Sequence, residues 1–259
     1  MFNGGFIVSN LNKPKTALVS GGMGGIGTAI CQVLAKSGIN VVTTYHKSGD
    51  HSHAERWHEA QQSQGFVLDK IYVDISDATS CQTAICELIE RHGKIDILVN
   101  NAGITRDKLC HKMAVDDWQQ VIGVNLNSVF YLTQPVLDSM IKNDYGRIIN
   151  ISSINAQKGQ RGQVNYAAAK AGMHGFTKSL AQEVAHKHIT VNTISPGYIK
   201  TSMVMAVRED IREQIIAQIP VGRLGEPDEI ARVVAFLADE ASSFITGANI
   251  SVNGGQYVS

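Results

Sequence analysis

"KTALVSGGMGGIG", Lys15 to Gly27, runs an apolar, strand-like segment directly into five closely spaced glycines. The residues that follow, "TAICQVLAKSG", have helical period and end on Gly38, where a helix C-terminus is expected to stop. Strand, glycine turn and helix in this order bring backbone amides up to a pyrophosphate at the positive end of a helix. Two registers of that fingerprint fit. Gly22, Gly24 and Gly27 spell the general form, whereas Gly21, Gly25 and Gly27 spell a GxxxGxG variant.

The same alternation continues to the C-terminus. "NVVTTY" (40–45), "FVLDKIYV" (66–73), "IDILVN" (95–100), "GRIINIS" (146–152), "ITVNTIS" (189–195) and "NISVN" (249–253) read as further strands. Between them, 76–93, 115–142 and 164–187 carry apolar residues at spacings of three and four, and Ser76 stands where an N-cap belongs. This pattern predicts an α/β fold, a single-domain Rossmann-type doubly wound parallel sheet with helices on both faces. A domain of 15–259 follows an extension of 1–14, and nothing between them reads as a linker or repeat.

Composition narrows the function. The 259 residues are 44% hydrophobic and 18% charged with zero formal net charge, so neither a nucleic-acid partner nor a membrane is expected. "MFNGGFIVSNLNKP" lacks the basic start and apolar core of a secretory signal. Cys31, Cys81, Cys86 and Cys110 show no CxxC spacing and read as reduced thiols of a cytoplasmic protein. The histidines of "DHSHAERWH" (50–58) and "HKH" (186–188) complete no tetrahedral ligand set and read as a solvated loop and a solvated helix end, so no metal is expected.

"NNAG", Asn100 to Gly103, closes the fourth strand at the carboxyl edge, where such sheets bind ligands. An NAD site usually places an acid at the end of the second strand. Here that place reads "TTYHKSGD", with Lys47 and then His46 as candidates for a 2′-phosphate and Asp50 the first acid, which favours NADP(H). In "NYAAAKAGMHGF" (165–176), Tyr166 and Lys170 are four apart and share one helical face. A free phenol titrates near roughly 10 and needs help to exchange protons near neutrality, which a neighbouring ammonium could supply.

Ser153 precedes Tyr166 by thirteen residues, with Ser152 beside it, and Asn125 lies upstream in "GVNLNSVF". With Gly21-x-x-x-Gly25-x-Gly27, Asn100-Asn101-Ala102-Gly103, Asn125, Ser153, Tyr166-x-x-x-Lys170 and Ser195-Pro196-Gly197 in this order, the chain resembles the short-chain dehydrogenase/reductase family from Lys15 to Val258. The resemblance implies that Tyr166 donates a proton to a carbonyl and Lys170 favours phenolate and grips the nicotinamide ribose. It further implies that Ser153 bonds the substrate oxygen and that Asn125 holds a water linking Lys170 to solvent. It puts Ile26, Asp74, Asn101, Ala102, Gly103, Pro196, Gly197, Ile199 and Thr201 against the cofactor beside the glycines. Ser20 stands where the family usually has Thr and keeps the hydroxyl.

The segment 198–220 has helical period and a methionine-rich face, which suits a mobile lid or, in its later half, a core helix. Within the family, "GGMGGIGTAICQ", "NNAGITRD", "QKGQ" (157–160) and "VNTISPGYI" are similar to reductases of acetoacetyl-CoA in polyhydroxybutyrate synthesis. This implies an acyl-CoA thioester substrate, with Ser153, Gln157, Lys158, Gln160 and Tyr198 near it and Arg161 at the mouth. 3-Oxoacyl-carrier-protein reductases are the next relatives. They tend to carry arginine in the turn that here reads "KNDYGR", with Asp144 in it, although Lys187 is available for docking. A homotetramer is implied, the helices bearing Asn125 and Tyr166 packing across a two-fold axis.

Overall fold

The computed structural model describes residues 14–46 and 51–258. Its strands are β1 Thr16–Val19, β2 Asn40–Tyr45, β3 Leu68–Tyr72, β4 Ile97–Asn100, β5 Gly146–Ile151, β6 Ile189–Pro196 and β7 Asn249–Val252. They form one sheet in the order β3-β2-β1-β4-β5-β6-β7, with every neighbouring pair parallel. The order reverses between β1 and β4, which opens a crevice at their carboxyl ends.

Successive side chains of a strand point to opposite faces, so a sheet covered on both sides needs apolar residues at every position. In β1, Leu18 enters one core with Val42, Leu98, Ile148 and Val191, while Ala17 and Val19 enter the other with Val41, Ile97, Val99 and Ile194. The second core is covered by α1 Gly25–Lys36 and, late in the chain, α10 Pro227–Ala238. α2 Ser52–Ser63 borders that side, its Trp57 Nε1 donating to Thr28 Oγ1 at 3.0 Å. The first core is covered by α3 Ala78–His92, α5 Ser128–Lys142 and α7 Val164–Val184. α4 Val115–Ile122, the single turn α6 Asn155–Lys158, α8 Ser202–Met205 and α9 Glu209–Ala217 complete the helices.

Four expectations change. The histidine-bearing stretch read as a loop is largely α2, and His51 before it bonds the Tyr45 hydroxyl at 2.8 Å. The N-cap of α3 is Asp77, whose carboxylate accepts from Ser80 N at 2.7 Å, while Ser76 turns back to Asp74. The 115–142 helix is not continuous, because a π-helical turn at Gly123–Asn127 separates α4 from α5. In 198–220 neither α8 nor α9 buries a residue, so the later half is no core helix. Among the described residues, no helix is long and apolar enough to cross a membrane.

Candidate active site

The glycine turn is built by exclusion. Gly21 has φ +65°, which favours glycine, and a Cβ on Gly27 would lie 2.3 Å from the Gly21 carbonyl oxygen. Gly22 instead packs inward, where a Cβ would meet Thr43 Oγ1 at 2.2 Å and Cys31 Sγ at 2.7 Å. Gly21, Gly25 and Gly27 line the crevice while Gly22 does not, which selects the GxxxGxG register. From β4, the Asn101 Nδ2 group holds the Ser20 and Gly21 carbonyls at 3.1 and 3.0 Å. Ser20 Oγ accepts from the Asn101 and Ala102 amides at 3.0 and 3.1 Å, so its hydroxyl ties the two loops together.

The resulting cavity of about 650 Å³ is lined by these glycines, Ile26, His46, Asp74, Asn101, Ala102, Gly103 and Thr201. Its size lies within the usual range for ligand sites, and the lack of a Cβ at Gly21 and Gly27 lets the turn close tightly on itself and on Ala102 at the cavity wall, so the cradle fits a dinucleotide. Hydrogen bonding from Ser76 holds the Asp74 carboxyl below its ordinary range, against a smaller opposing effect of burial. Lys47 and Asp50 lie outside the described residues. His46, the second candidate, does face this cavity.

A second cavity of about 230 Å³ joins the first along Ile26, Asn101, Gly103, Ile104, Thr201 and Met203. Ser153, Tyr166, Lys170, Pro196, Gly197, Tyr198 and Ile199 line it. The adjacent serines differ in their bonds. Ser152 Oγ donates to the Lys170 carbonyl at 2.9 Å, whereas Ser153 Oγ accepts from Asn155 N at 3.1 Å and its hydroxyl acts to lower the pKa of the Tyr166 phenol. Lys170 is buried, its Nζ donates to the Ile151 carbonyl at 2.7 Å, and burial lowers its pKa to about 8.

This arrangement corrects one expectation. Lys170 Nζ lies 5.9 Å from the centre of the Tyr166 ring, and the phenol pKa is raised, not lowered. Burial is the largest cause, opposed by the Ser153 hydroxyl and reinforced by Asp107. Lys170 is not among the groups that set this shift, and burial carries it upward. The tyrosine keeps its proton through neutrality.

Asn125 sits in the π-helical turn and is fully buried. Its Oδ1 accepts from Ile104 N at 2.8 Å and its Nδ2 donates to Ile104 O at 2.9 Å, so the amide is spent on the loop after Asn101. π-Turns recur at functional sites, and Gly172 on α7 lets this one approach closely: a Cβ there would lie 2.8 Å from Leu126.

Two residues of this cavity, Asn155 and Gln163, and Asp107 bonded to them were not legible as a motif. The Asp107 carboxylate can only accept, so Gln163 presents its Nε2 group to it at 2.8 Å. Gln163 Oε1 then accepts from Asn155 Nδ2 at 2.8 Å, and one carboxylate orients both amides. Of the expected substrate residues, Gln157 accepts from Ser251 Oγ at 3.2 Å, while Lys158 and Gln160 are exposed and outside the lining.

Comparison with known proteins places this geometry. A family model described as enoyl-(acyl carrier protein) reductase matches residues 21–256. An acetoacetyl-CoA reductase of Allochromatium vinosum is 53% identical over 244 residues, covering 94% of this chain and 99% of that protein. The chain belongs to the short-chain dehydrogenase/reductase family. Within that family it is also similar to the acetoacetyl-CoA reductase of Cupriavidus necator, 52% identical over 94% of this chain and 98% of that protein. A 3-oxoacyl-[acyl-carrier-protein] reductase of Escherichia coli is 45% identical over 94% and 98% of the two chains. Ser153, Tyr166 and Lys170 line one cavity that opens onto the glycine crevice.

Proposed function

We propose that the protein reduces acetoacetyl-CoA to (R)-3-hydroxybutyryl-CoA with NADPH in the cytoplasm. The observation that carries this reading is a protonated phenol, Tyr166, lining one cavity with Ser153 and buried Lys170, in a chain about half identical to acetoacetyl-CoA reductases. When bound, the nicotinamide supplies hydride. Tyr166 Oη gives its proton to the carbonyl oxygen, and the Ser153 hydroxyl stabilises the charge that develops there. Lys170 holds the ribose and supplies a positive charge beneath the phenol, and Asn125 braces the loop at Ile104 that forms the opposite wall. The hand of the product rests on the family resemblance.

His46, which faces the cavity at the end of β2 where an NAD enzyme would carry an acid, supports NADP(H). A CoA carrier is favoured by Asp144, which occupies the exposed turn before β5 at φ +50° and pairs with His188 at 2.8 Å. A carboxylate there opposes docking of an acidic carrier protein. Exposed Val115, Trp118, Phe130 and Val164 on α4, α5 and α7 support a homotetramer. The test is kcat/KM for NADPH oxidation with acetoacetyl-CoA beside acetoacetyl-carrier protein. Preference for the carrier-protein thioester by about tenfold, or ~1.4 kcal/mol, would reassign the substrate.

A further inference from the structure

α7 carries a third polar residue on the side of Lys170. His174, one turn beyond it, places Nε2 at 2.9 Å from Ser152 Oγ and 3.4 Å from Ser195 Oγ. The direction of these bonds follows from counting protons. A serine hydroxyl has one proton to give. Ser152 spends its own on the Lys170 carbonyl at 2.9 Å, and Ser195 spends its own on Asn249 Oδ1 at 2.7 Å. Both hydroxyls can therefore only accept from the ring, so Nε2 carries the hydrogen. Burial and the nearby Lys178 charge disfavour the imidazolium, which leaves the neutral Nε2–H tautomer.

The ring thus sits where four elements meet. Ser152 follows β5, Ser195 is in β6, Asn249 begins β7 and His174 is in α7. Lys170 is held to the end of β5 twice, through its carbonyl to Ser152 and through Nζ to Ile151 O. Ser152 is covalently next to Ser153, and Ser195 leads into the Pro196–Gly197 wall of the cavity. Fixing two hydroxyls fixes both the helix that bears Tyr166 and Lys170 and the strand ends that bear the remaining groups.

We infer that His174 is a positioning residue, its Nε2–H the shared donor that locks Ser152 onto Lys170 and Ser195 onto Asn249. The inference rests on the reading of Ser153, Tyr166 and Lys170 as the reacting set. The cations nearest His174 are Lys170 one turn back and Lys178 one turn on, and no carboxylate pairs with it among the described residues.

The experiment compares His174→Phe, which keeps a ring without the donor, with His174→Gln, whose side-chain amide can place an N–H where Nε2 stands. We expect the Phe variant to lose about tenfold or more in kcat with acetoacetyl-CoA, and Gln to recover to within about threefold of wild type. Loosening the corner admits water to Lys170, so the alkaline limb of the pH profile should move up by about half a unit or more in the Phe variant. The ring's tautomer, read by long-range nitrogen–proton NMR on the wild type without turnover, should be Nε2–H at neutral pH. Wild-type kcat and pH profile in the Phe variant would overturn the inference, as would an Nδ1–H ring or a Gln variant that recovers nothing. A wild type inactive on every 3-oxoacyl thioester would instead sink the functional reading, with His174 still judged by its spectrum.

Discussion

Replacing Lys170 with methionine should abolish turnover and yet stabilise the empty protein. Methionine keeps the length and apolar stem of lysine and deletes the charge. Burial drags the Lys170 pKa from its ordinary 10.5 to about 8, and that gap corresponds to ~3 kcal/mol of penalty on the charged form. Against it stands the lost bond from Nζ to the Ile151 carbonyl, which costs ~1–2 kcal/mol when its acceptor is left behind. The difference favours the variant by ~1–2 kcal/mol at neutral pH, a rise in Tm of roughly 2–6 °C for a chain of this size. The sign with pH is fixed. The unfolded lysine holds its proton to 10.5 and the folded one only to about 8, so wild-type stability should climb between those values. Below about 8 the penalty is complete and the variant's advantage is largest; it should fall to zero before 10.5 and reverse there, where only the lost bond remains. Chemical denaturation of both proteins across this window measures the gap directly. A variant less stable than wild type at neutral pH, with a gap that does not change up to the ordinary lysine pKa, would refute the reasoning.

Three further outcomes follow from the site and its supports. Tyr166→Phe should cut kcat by about a hundredfold or more while fluorescence titration finds NADPH binding intact; a tenth of wild-type kcat would mean that another group donates the proton. Gly27→Ala forces a Cβ to within 2.3 Å of the Gly21 carbonyl and should raise the Kd for NADPH by about tenfold or more, so unchanged calorimetric affinity would show that the turn is not the cradle. Glu229→Ala removes both the bond to Glu226 N at 2.7 Å and the paired contacts to Arg223 at 2.8 Å, and should lower Tm by roughly 2–4 °C. Arg223 is the main reason the Glu229 carboxyl is depressed to about 2, so its contribution should persist in mild acid and fade between its ordinary 4.5 and about 2.

The sheet was legible because parallel strands buried on both faces cannot hide their composition, and all seven lie where apolar runs announced them. The glycines, Asn101, Ser153, Tyr166 and Lys170 were legible as lining of the two joined cavities because each residue type at that spacing suits few other purposes. α2 was not, since it buries only Ala54 and Gln61 and so carries almost no apolar stripe. The π-turn was invisible for another reason: one extra residue per turn does not disturb an apolar period read over a whole helix. Asp107, Gln163 and Asn155 form a relay across loops that only the folded chain brings together. The direction of the Tyr166 shift was also beyond the sequence, because spacing gives a partner but not the depth of burial.

One helix explains how so costly a site is tolerated. The face of α7 toward the sheet runs Asn165, Ala169, Lys170, Met173, Thr177, Leu180, Ala181 and Val184. Its first half buries an amide and a lysine, which by themselves oppose docking. Its second half buries Leu180, Ala181 and Val184 in the core with Val191 and Ile189, and fully burying one such side chain contributes ~1.5–3 kcal/mol. Between the halves, Thr177 Oγ1 accepts from Asn150 Nδ2 at 2.8 Å and meets Thr193 Oγ1 at 2.7 Å, while Asn150 Oδ1 accepts from Asn100 at 2.8 Å. This buried ladder crosses β4, β5, α7 and β6 with directed bonds, and so fixes the helix in register as well as in contact. Register matters because Tyr166 and Lys170 must stand over the carboxyl ends of strands, whereas the apolar half packs near the amino end of β6 at Ile189 and Val191. The chemistry is therefore held in place by the half of the helix that does none of it.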